Sequence, residues 1–195
     1  MQKTGKYFLT TSIGNKIQQL IREPNIINAI KKYDMEDVNG VISSTIRVYR
    51  QLKQTGVIGP NDISIQWNTD GAQVFHSSKK SMWPIQIGIN ELPYSLRKEN
   101  LILAGLWVGK GSPRMDIFLR PFVDELVKLH REGIQCDVPN VGQQIIKVHC
   151  LIAPVDSVAR PKVTYFAIYM NILFLKIQID TTETMFSCHI YRSQI

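Results

Sequence analysis

The order of apolar and polar residues predicts a short helical region followed by a series of strands. Apolar side chains recur at helical spacing over residues 13–33, and Pro24 should begin a second helix, since proline interrupts the interior of a helix. Residues 41–55 fit either a strand or a helix. Over residues 63–69 apolar side chains alternate with polar ones, which is the period of a half-buried strand. This strand ends at Asp70, where an Asp-Gly pair permits a tight turn.

Further along the chain, several short apolar segments have the composition of strands. They are residues 73–76, 82–90 and 101–108. Pro84 indicates an edge strand or a bulge, because proline cannot donate a hydrogen bond to a neighbouring strand. From the strand before Asp70 to residue 108, we interpret the chain as an antiparallel meander of three successive strands.

A helix is predicted after the meander. Ser112 is expected to cap it and Pro113 to occupy its first position, and apolar residues then recur every three or four positions until Gly133. Pro121 should kink or restart this helix, because it removes one backbone hydrogen bond. Residues 145–153 are then a continuous apolar run, typical of a central strand covered on both faces.

Three strands, a helix and a fourth strand predict an α/β protein with a partial ribonuclease-H-like fold and a short N-terminal helical region. In that fold the first and fourth strands are neighbours, so Asp70 and Asp156 are expected at the same end of the sheet. Two carboxylates there could hold divalent cations that clamp the oxygens of a phosphodiester. The alternative is structural, since Asp70 could serve only a hairpin turn and Asp156 only a helix cap.

The chain is expected to divide into three parts. Residues 1–60 form an accessory helical region, residues 61–164 form the partial ribonuclease-H-like core, and residues 165–195 form a divergent apolar tail. The tail is too short and too polar in its apolar stretch to predict a membrane span.

The net charge of the chain favours a function that involves a polyanionic partner. The 195 residues carry 23 Lys and Arg against 16 Asp and Glu, a net charge of +7 that suits a polyanionic partner such as DNA, although a basic solvated surface is the alternative. Basic residues near predicted turns are candidates for phosphate contacts. They are Lys79, Lys80, Arg97, Lys98, Lys110 and Arg114.

Other site chemistries are not indicated. Three cysteines without a C-x-x-C spacing predict neither a disulfide framework nor a structural zinc site, and the adjacent pair His149-Cys150 is expected to be packed in the interior. The glycines around Lys110 depart from the phosphate-binding loop, which argues against an NTPase. No signal-peptide pattern opens the chain, so secretion is not expected.

Six short motifs occur in order along the chain and resemble the core of transposases of CACTA-type DNA transposons, in the diverged form found in animal genomes. The resemblance covers roughly residues 7–162. The motifs are Thr69-Asp70-Gly71, Ser81-Met82-Trp83-Pro84, Asn90-Glu91-Leu92-Pro93, Ala104-Gly105-Leu106-Trp107, Pro121-Phe122-Val123-Asp124-Glu125-Leu126 and Asp156-Ser157-Val158-Ala159-Arg160-Pro161.

The resemblance implies acids of the DDE type, which bind Mg²⁺ or Mn²⁺ for DNA strand cleavage and transfer. The positions that match the first two acids are Asp70 and Asp156, which would be catalytic and metal-binding. Asp180 and Glu183 are candidates for the third acid, but neither stands in a matching motif. The resemblance also implies DNA as a partner and a nuclear location, with the cytoplasm as the alternative.

The sequence departs from that family after the second acid. Family members continue into a Gly-Cys-x-x-Cys element and a later third acid, whereas residues 163–195 contain neither in a matching context. We therefore expect a truncated remnant that does not cleave and transfer DNA alone. The alternative is a non-catalytic module that binds nucleic acid or a transposase, and association with itself or with a full-length transposase is expected in either case.

Overall fold

The computed structural model describes residues 5–32, 44–73, 80–152, 176–179 and 186–189. The helices are α1 (Ile13–Ile21), α2 (Pro24–Lys32), α3 (Ser44–Gln54), α4 (Tyr94–Glu99) and α5 (Met115–Arg131). The strands are β1 (Tyr7–Thr10), β2 (Ile63–Thr69), β3 (Ala72–Gln73), β4 (Lys80–Ile89), β5 (Ile102–Lys110), β6 (Ile134–Val138), β7 (Gly142–Ile146), β8 (Val148–Ile152), β9 (Lys176–Ile179) and β10 (Phe186–His189).

The main sheet has the order β1-β5-β4-β2-β8, and β3 pairs with β4. Strands β2, β4 and β5 form the predicted antiparallel meander. Strand β8 pairs with β2 in parallel, with Ile63 opposite Val148 and Ile65 opposite Cys150. The prediction that the first and fourth core strands are adjacent in the sheet is therefore confirmed. The α/β architecture is compatible with a partial ribonuclease-H-like fold.

The apolar run at residues 145–153 was predicted to be one strand. Its described residues instead belong to two strands. Strand β7 ends at Ile146 and pairs with β6 in a separate hairpin, whereas β8 begins at Val148 and joins the main sheet. Strand β7 has the sequence Gly-Gln-Gln-Ile-Ile, so only its last two residues are apolar; of these, Ile146 is buried and Ile145 is 67% exposed. This composition hides the break at Lys147 from an analysis of hydrophobic pattern.

Helix α5 begins two residues later than predicted. Arg114, not Ser112, occupies the N-cap position, and its side chain does not cap the helix. Pro121 lies inside the helix, which continues through it to Arg131. The predicted end is confirmed, because the Gly133 amide donates to the Leu129 carbonyl and Gly133 has a φ of 73°.

Strand β4 lies between β5 and β2, so the edge position considered for Pro84 is wrong. The register between β4 and β5 shifts between Ile85 and Gln86, directly after the proline. The alternative expectation of a bulge is therefore confirmed to within one residue, as expected for a proline in an interior strand.

The N-terminal helices pack onto the same core as the sheet. The predicted helical region and the start of its second helix at Pro24 are confirmed. Helix α3 shows that residues 44–54, in the segment that fitted either a strand or a helix, are helical. Glu125 of α5 accepts hydrogen bonds from the Ser12 hydroxyl (2.9 Å) and the Gly14 amide (3.1 Å). The boundaries of the three proposed parts stay predictions, but α1 and α5 share one continuous set of buried side chains.

Helix α5 covers one face of the sheet. The rings of Trp67 on β2 and Phe122 on α5 lie 4.8 Å apart, and those of Phe8 on β1 and Phe118 on α5 lie 5.6 Å apart. The contacts fix both β1 and β2 beneath the helix. The sheet end that carries Asp70 is thereby built on packed elements.

Candidate functional site

Asp70 directly follows the last residue of β2 and is exposed to solvent. Because β2 and β8 run in parallel, their carboxyl ends are directed towards the same edge of the sheet. Asp70 is therefore a solvent-accessible carboxylate at the end of an interior strand. The second predicted acid, Asp156, lies outside the described residues, as do Asp180 and Glu183.

The turn after Asp70 is shaped by an indole ring. A Cβ atom added to Gly71 would lie 2.4 Å from Cζ2 of Trp83, a distance that only glycine avoids. The Trp83 indole N–H donates to the Ser81 hydroxyl (3.2 Å), which in turn donates to the Gly111 carbonyl. These contacts connect the Asp70 turn with the start of β4 and the residue that follows β5.

Two polar atoms near Asp70 are buried. Within the part of the chain that the structure describes, neither the Thr69 hydroxyl nor the Trp67 indole N–H has a hydrogen-bond partner. Burial of an unpaired polar group costs about 1–3 kcal/mol, so the end of β2 is a locally unfavourable arrangement. Such arrangements concentrate at functional sites.

Two of the predicted phosphate-binding residues lie opposite each other on adjacent strands. Lys80 at the start of β4 and Lys110 at the end of β5 are Cα partners across the two strands, and both are exposed. Lys79 lies outside the described residues. The sheet thus brings together two cations that are separated by about 30 positions in sequence.

Arg114 has a different environment from the lysines. Its guanidinium lies 2.7 Å from Oδ2 of Asp116, and both side chains are largely exposed. The hydrogen bond with Asp116 raises the pKa of Arg114, and the same hydrogen bond lowers the pKa of Asp116. Its charge is therefore partly compensated within the first turn of α5.

A second polar cluster lies at the opposite end of β2. The sequence analysis did not identify this cluster. His149 Nε2 lies 3.0 Å from Asp62 Oδ2, and the same carboxylate accepts hydrogen bonds from the amides of Gly59 and Lys147. Burial alone would raise the pKa of Asp62, but these hydrogen bonds lower it below its usual value. His149 is buried, as expected, and its partner Asp62 is separated from it by 87 positions.

Glu91 is a buried carboxylate at the same end of the sheet as Asp62. The Ser64 amide donates to both of its oxygens, at 2.8 and 3.0 Å, and Tyr49 also hydrogen-bonds it. Burial raises the pKa of Glu91 above its usual value. It joins the beginning of β2 to the end of β4, so its role is within the fold, away from Asp70.

Among the described residues, no three His, Cys, Asp or Glu side chains converge on a point that could hold a metal ion. The carboxylate of Asp70 is a hard oxygen donor of the kind that Mg²⁺ and Mn²⁺ prefer, and its exposure leaves it accessible to a hydrated cation. Its chemistry thus fits one ligand of the site predicted from the sequence.

A known protein family matches the central part of the chain. The sequence profile described as Transposase family tnp2 matches residues 47–156, more than half of the chain. The chain belongs to this family. The matched segment of the tnp2 protein begins within α3, contains β2 to β8, and includes both Asp70 and Asp156.

Membership of the tnp2 family makes the chain a transposon-derived protein. No curated protein and no solved structure matches it. None of the described helices of the tnp2 protein is both long and apolar enough to cross a membrane.

Proposed function

We propose that this chain is the remnant of a CACTA-type transposase of the DDE kind, with Asp70 and Asp156 as the first two acids of a divalent-metal site. One observation carries the proposal. Gln66 on β2 and Ile152 on β8 are Cα partners, and each acid follows its strand's partner residue by four positions. A continuation of the chain beyond Ile152 beside β2 would bring the two carboxylates to one edge of the sheet.

Mg²⁺ or Mn²⁺ is the group that such a site would hold. When bound, the metal ions stabilise the attacking and leaving oxygens of a phosphodiester. Asp70 contributes an accessible anionic oxygen, held at the end of an interior strand by the contact of Gly71 with Trp83. In the family, the third acid would complete the ligand set, and Asp180 and Glu183 are the candidates in this chain.

Two acids supply only part of a two-metal site, so the chain alone is proposed to be inactive in strand cleavage. DNA is the proposed partner, in the nucleus, and association with another copy or with a full-length transposase would provide the missing groups. The exposed edge of β1 is one place where a further chain could pair.

A cleavage assay tests the absence of activity. Purified protein is incubated with labelled duplex DNA and either Mg²⁺ or Mn²⁺, beside a variant with both Asp70→Ala and Asp156→Ala. We expect no metal-dependent cleavage from either protein. Robust cleavage that is lost in the double variant would overturn the remnant proposal, and Glu183 and Asp180 would then be substituted first to find the third ligand.

The second candidate function is a non-catalytic nucleic-acid-binding module. It is favoured by the pairing of Lys80 with Lys110, since like charges opposite each other in a sheet are unfavourable without an anionic partner. A steep fall of DNA affinity with increasing salt distinguishes this module from an inert remnant.

A further inference from the structure

A third lysine extends the pair formed by Lys80 and Lys110. Lys6 precedes Tyr7, which is the partner of Val108 on β5, so Lys6 lies beside the end of that strand. Its Cγ atom lies 3.0 Å from the position that a Cβ atom on Gly109 would take. The three lysines therefore lie on adjacent chain segments at one end of the main sheet, and all three are linked by the order β1-β5-β4.

The described chain segments that carry the three lysines contain no acidic residue. Residues 5–22, 80–90 and 100–115 contain neither Asp nor Glu, whereas Asp70 follows β2 at the same end of the sheet. The basic residues of these three segments are Lys6, Lys16, Arg22, Lys80, Lys110 and Arg114. Within the described ranges, none of the three lysines forms a salt bridge with a carboxylate. The result is a local positive field that attracts anions.

An exposed aromatic ring lies beside these ammonium groups. Tyr7 is 68% exposed, whereas Phe8 turns to the opposite face and packs on Phe118. A Cβ atom added to Gly5 would lie 3.7 Å from Cε2 of Tyr7 and 3.8 Å from Nζ of Lys80. The ring edge and the ammonium therefore border the same point on the surface.

We propose that Lys6, Tyr7, Lys80 and Lys110 form a contact surface for single-stranded DNA. The lysines would contact successive phosphates, and the Tyr7 ring would stack on an unpaired base, whose face is inaccessible in a duplex. The inference rests on the proposed function for DNA as the class of partner. It requires no metal ion and neither Asp70 nor Asp156.

The test is fluorescence anisotropy of the full chain with a labelled single strand and with the matching duplex, in EDTA, between about 50 and 200 mM salt. The variants are a triple substitution, Lys6→Gln with Lys80→Gln and Lys110→Gln, and a single Tyr7→Leu. The control is Lys16→Gln, which removes an exposed lysine of α1 from the same acid-free segment.

The triple variant is expected to lose at least about tenfold in affinity for the single strand, and its salt slope is expected to fall by about two, since each phosphate contact contributes about 0.7. Tyr7→Leu is expected to weaken single-strand binding about five- to hundredfold and leave duplex binding unchanged. Lys16→Gln should bind within about twofold of the unmodified chain. Circular dichroism of each variant checks that it folds.

If the folded triple variant binds the single strand as tightly as the unmodified chain, the proposed contact surface is wrong. An equal loss on both DNAs, or no effect of Tyr7→Leu, would overturn the preference for single strands. Because EDTA removes divalent ions, failure of the acid site leaves these results unaffected. Conversely, a metal-dependent cleavage activity would contradict the remnant proposal without changing the outcome for Lys6, Tyr7, Lys80 and Lys110.

Discussion

At the scale of single residues, the site depends on how closely side chains approach the backbone. Gly71 follows the proposed metal ligand Asp70, and the Trp83 indole occupies the space where any larger residue would place its Cβ. The same indole donates to Ser81, so it cannot move without changing the connection to β5. The glycine and the tryptophan thus restrict the turn that follows Asp70.

Gly71→Ala is expected to lower the free energy of unfolding by about 1–3 kcal/mol, because the Trp83 ring must shift to admit a methyl group. Urea denaturation measures this change. In the background of Trp83→Leu, which removes the ring, the same substitution should cost markedly less, so the two changes should be non-additive. An equal cost of Gly71→Ala in both backgrounds would show that the indole does not restrict this turn.

Glu91 makes stability depend on pH. Burial raises its pKa in the folded protein above the usual value of 4.5, so from about pH 4.5 upwards the folded protein holds a proton that the unfolded chain has released. The stability contributed by the Glu91 carboxyl therefore falls as the pH rises from about 4.5 through its raised pKa in the folded protein. Glu91→Gln should remove this dependence in urea denaturation at several pH values.

The control for Glu91 is Glu99→Gln, at an exposed position. It should retain the pH dependence of the unmodified protein. If Glu91→Gln and the unmodified protein show the same slope of stability against pH above 4.5, burial of the Glu91 carboxyl does not have the effect described.

At the scale of helices and strands, the elements with a clear period were predictable and those defined by their neighbours were not. Alternation identified residues 63–69, and helical spacing identified most of α5. Strand β1 has four exposed residues and no alternation in burial, so only its pairing with β5 makes it a strand. The break at Lys147 was also missed, since the residues on either side of it, at the end of β7 and the start of β8, are apolar.

The packing of α5 against β2 gives a prediction at this scale. Phe122→Ala is expected to lower the free energy of unfolding by about 3–5 kcal/mol, because the ring is buried against Trp67 and its removal leaves a cavity. Ile117→Ala on the same helix, where the side chain is 55% exposed, should change it by no more than about 0.5 kcal/mol. Comparable effects of both substitutions in thermal or urea unfolding would contradict this packing.

At the scale of the whole molecule, the sheet topology determines which distant residues can act together. The order of strands in the sequence was sufficient to predict that β2 and β8 are neighbours, and with them the proposed proximity of Asp70 and Asp156. The contribution of Lys6 and Tyr7 was not predictable, because only the pairing of β1 with β5 brings them to Lys110. No local pattern connects residues about 100 positions apart.

The most direct test of the central claim is Mn²⁺ binding by the full chain, followed by electron paramagnetic resonance. If Asp70 and Asp156 share a metal site, Asp70→Asn and Asp156→Asn should each weaken binding by about tenfold or more, and combining them should add little. Asp124→Asn, an exposed carboxylate on α5, makes the same charge change and should leave the affinity unchanged. Mn²⁺ affinities of both single variants equal to that of the unmodified protein would contradict a shared site.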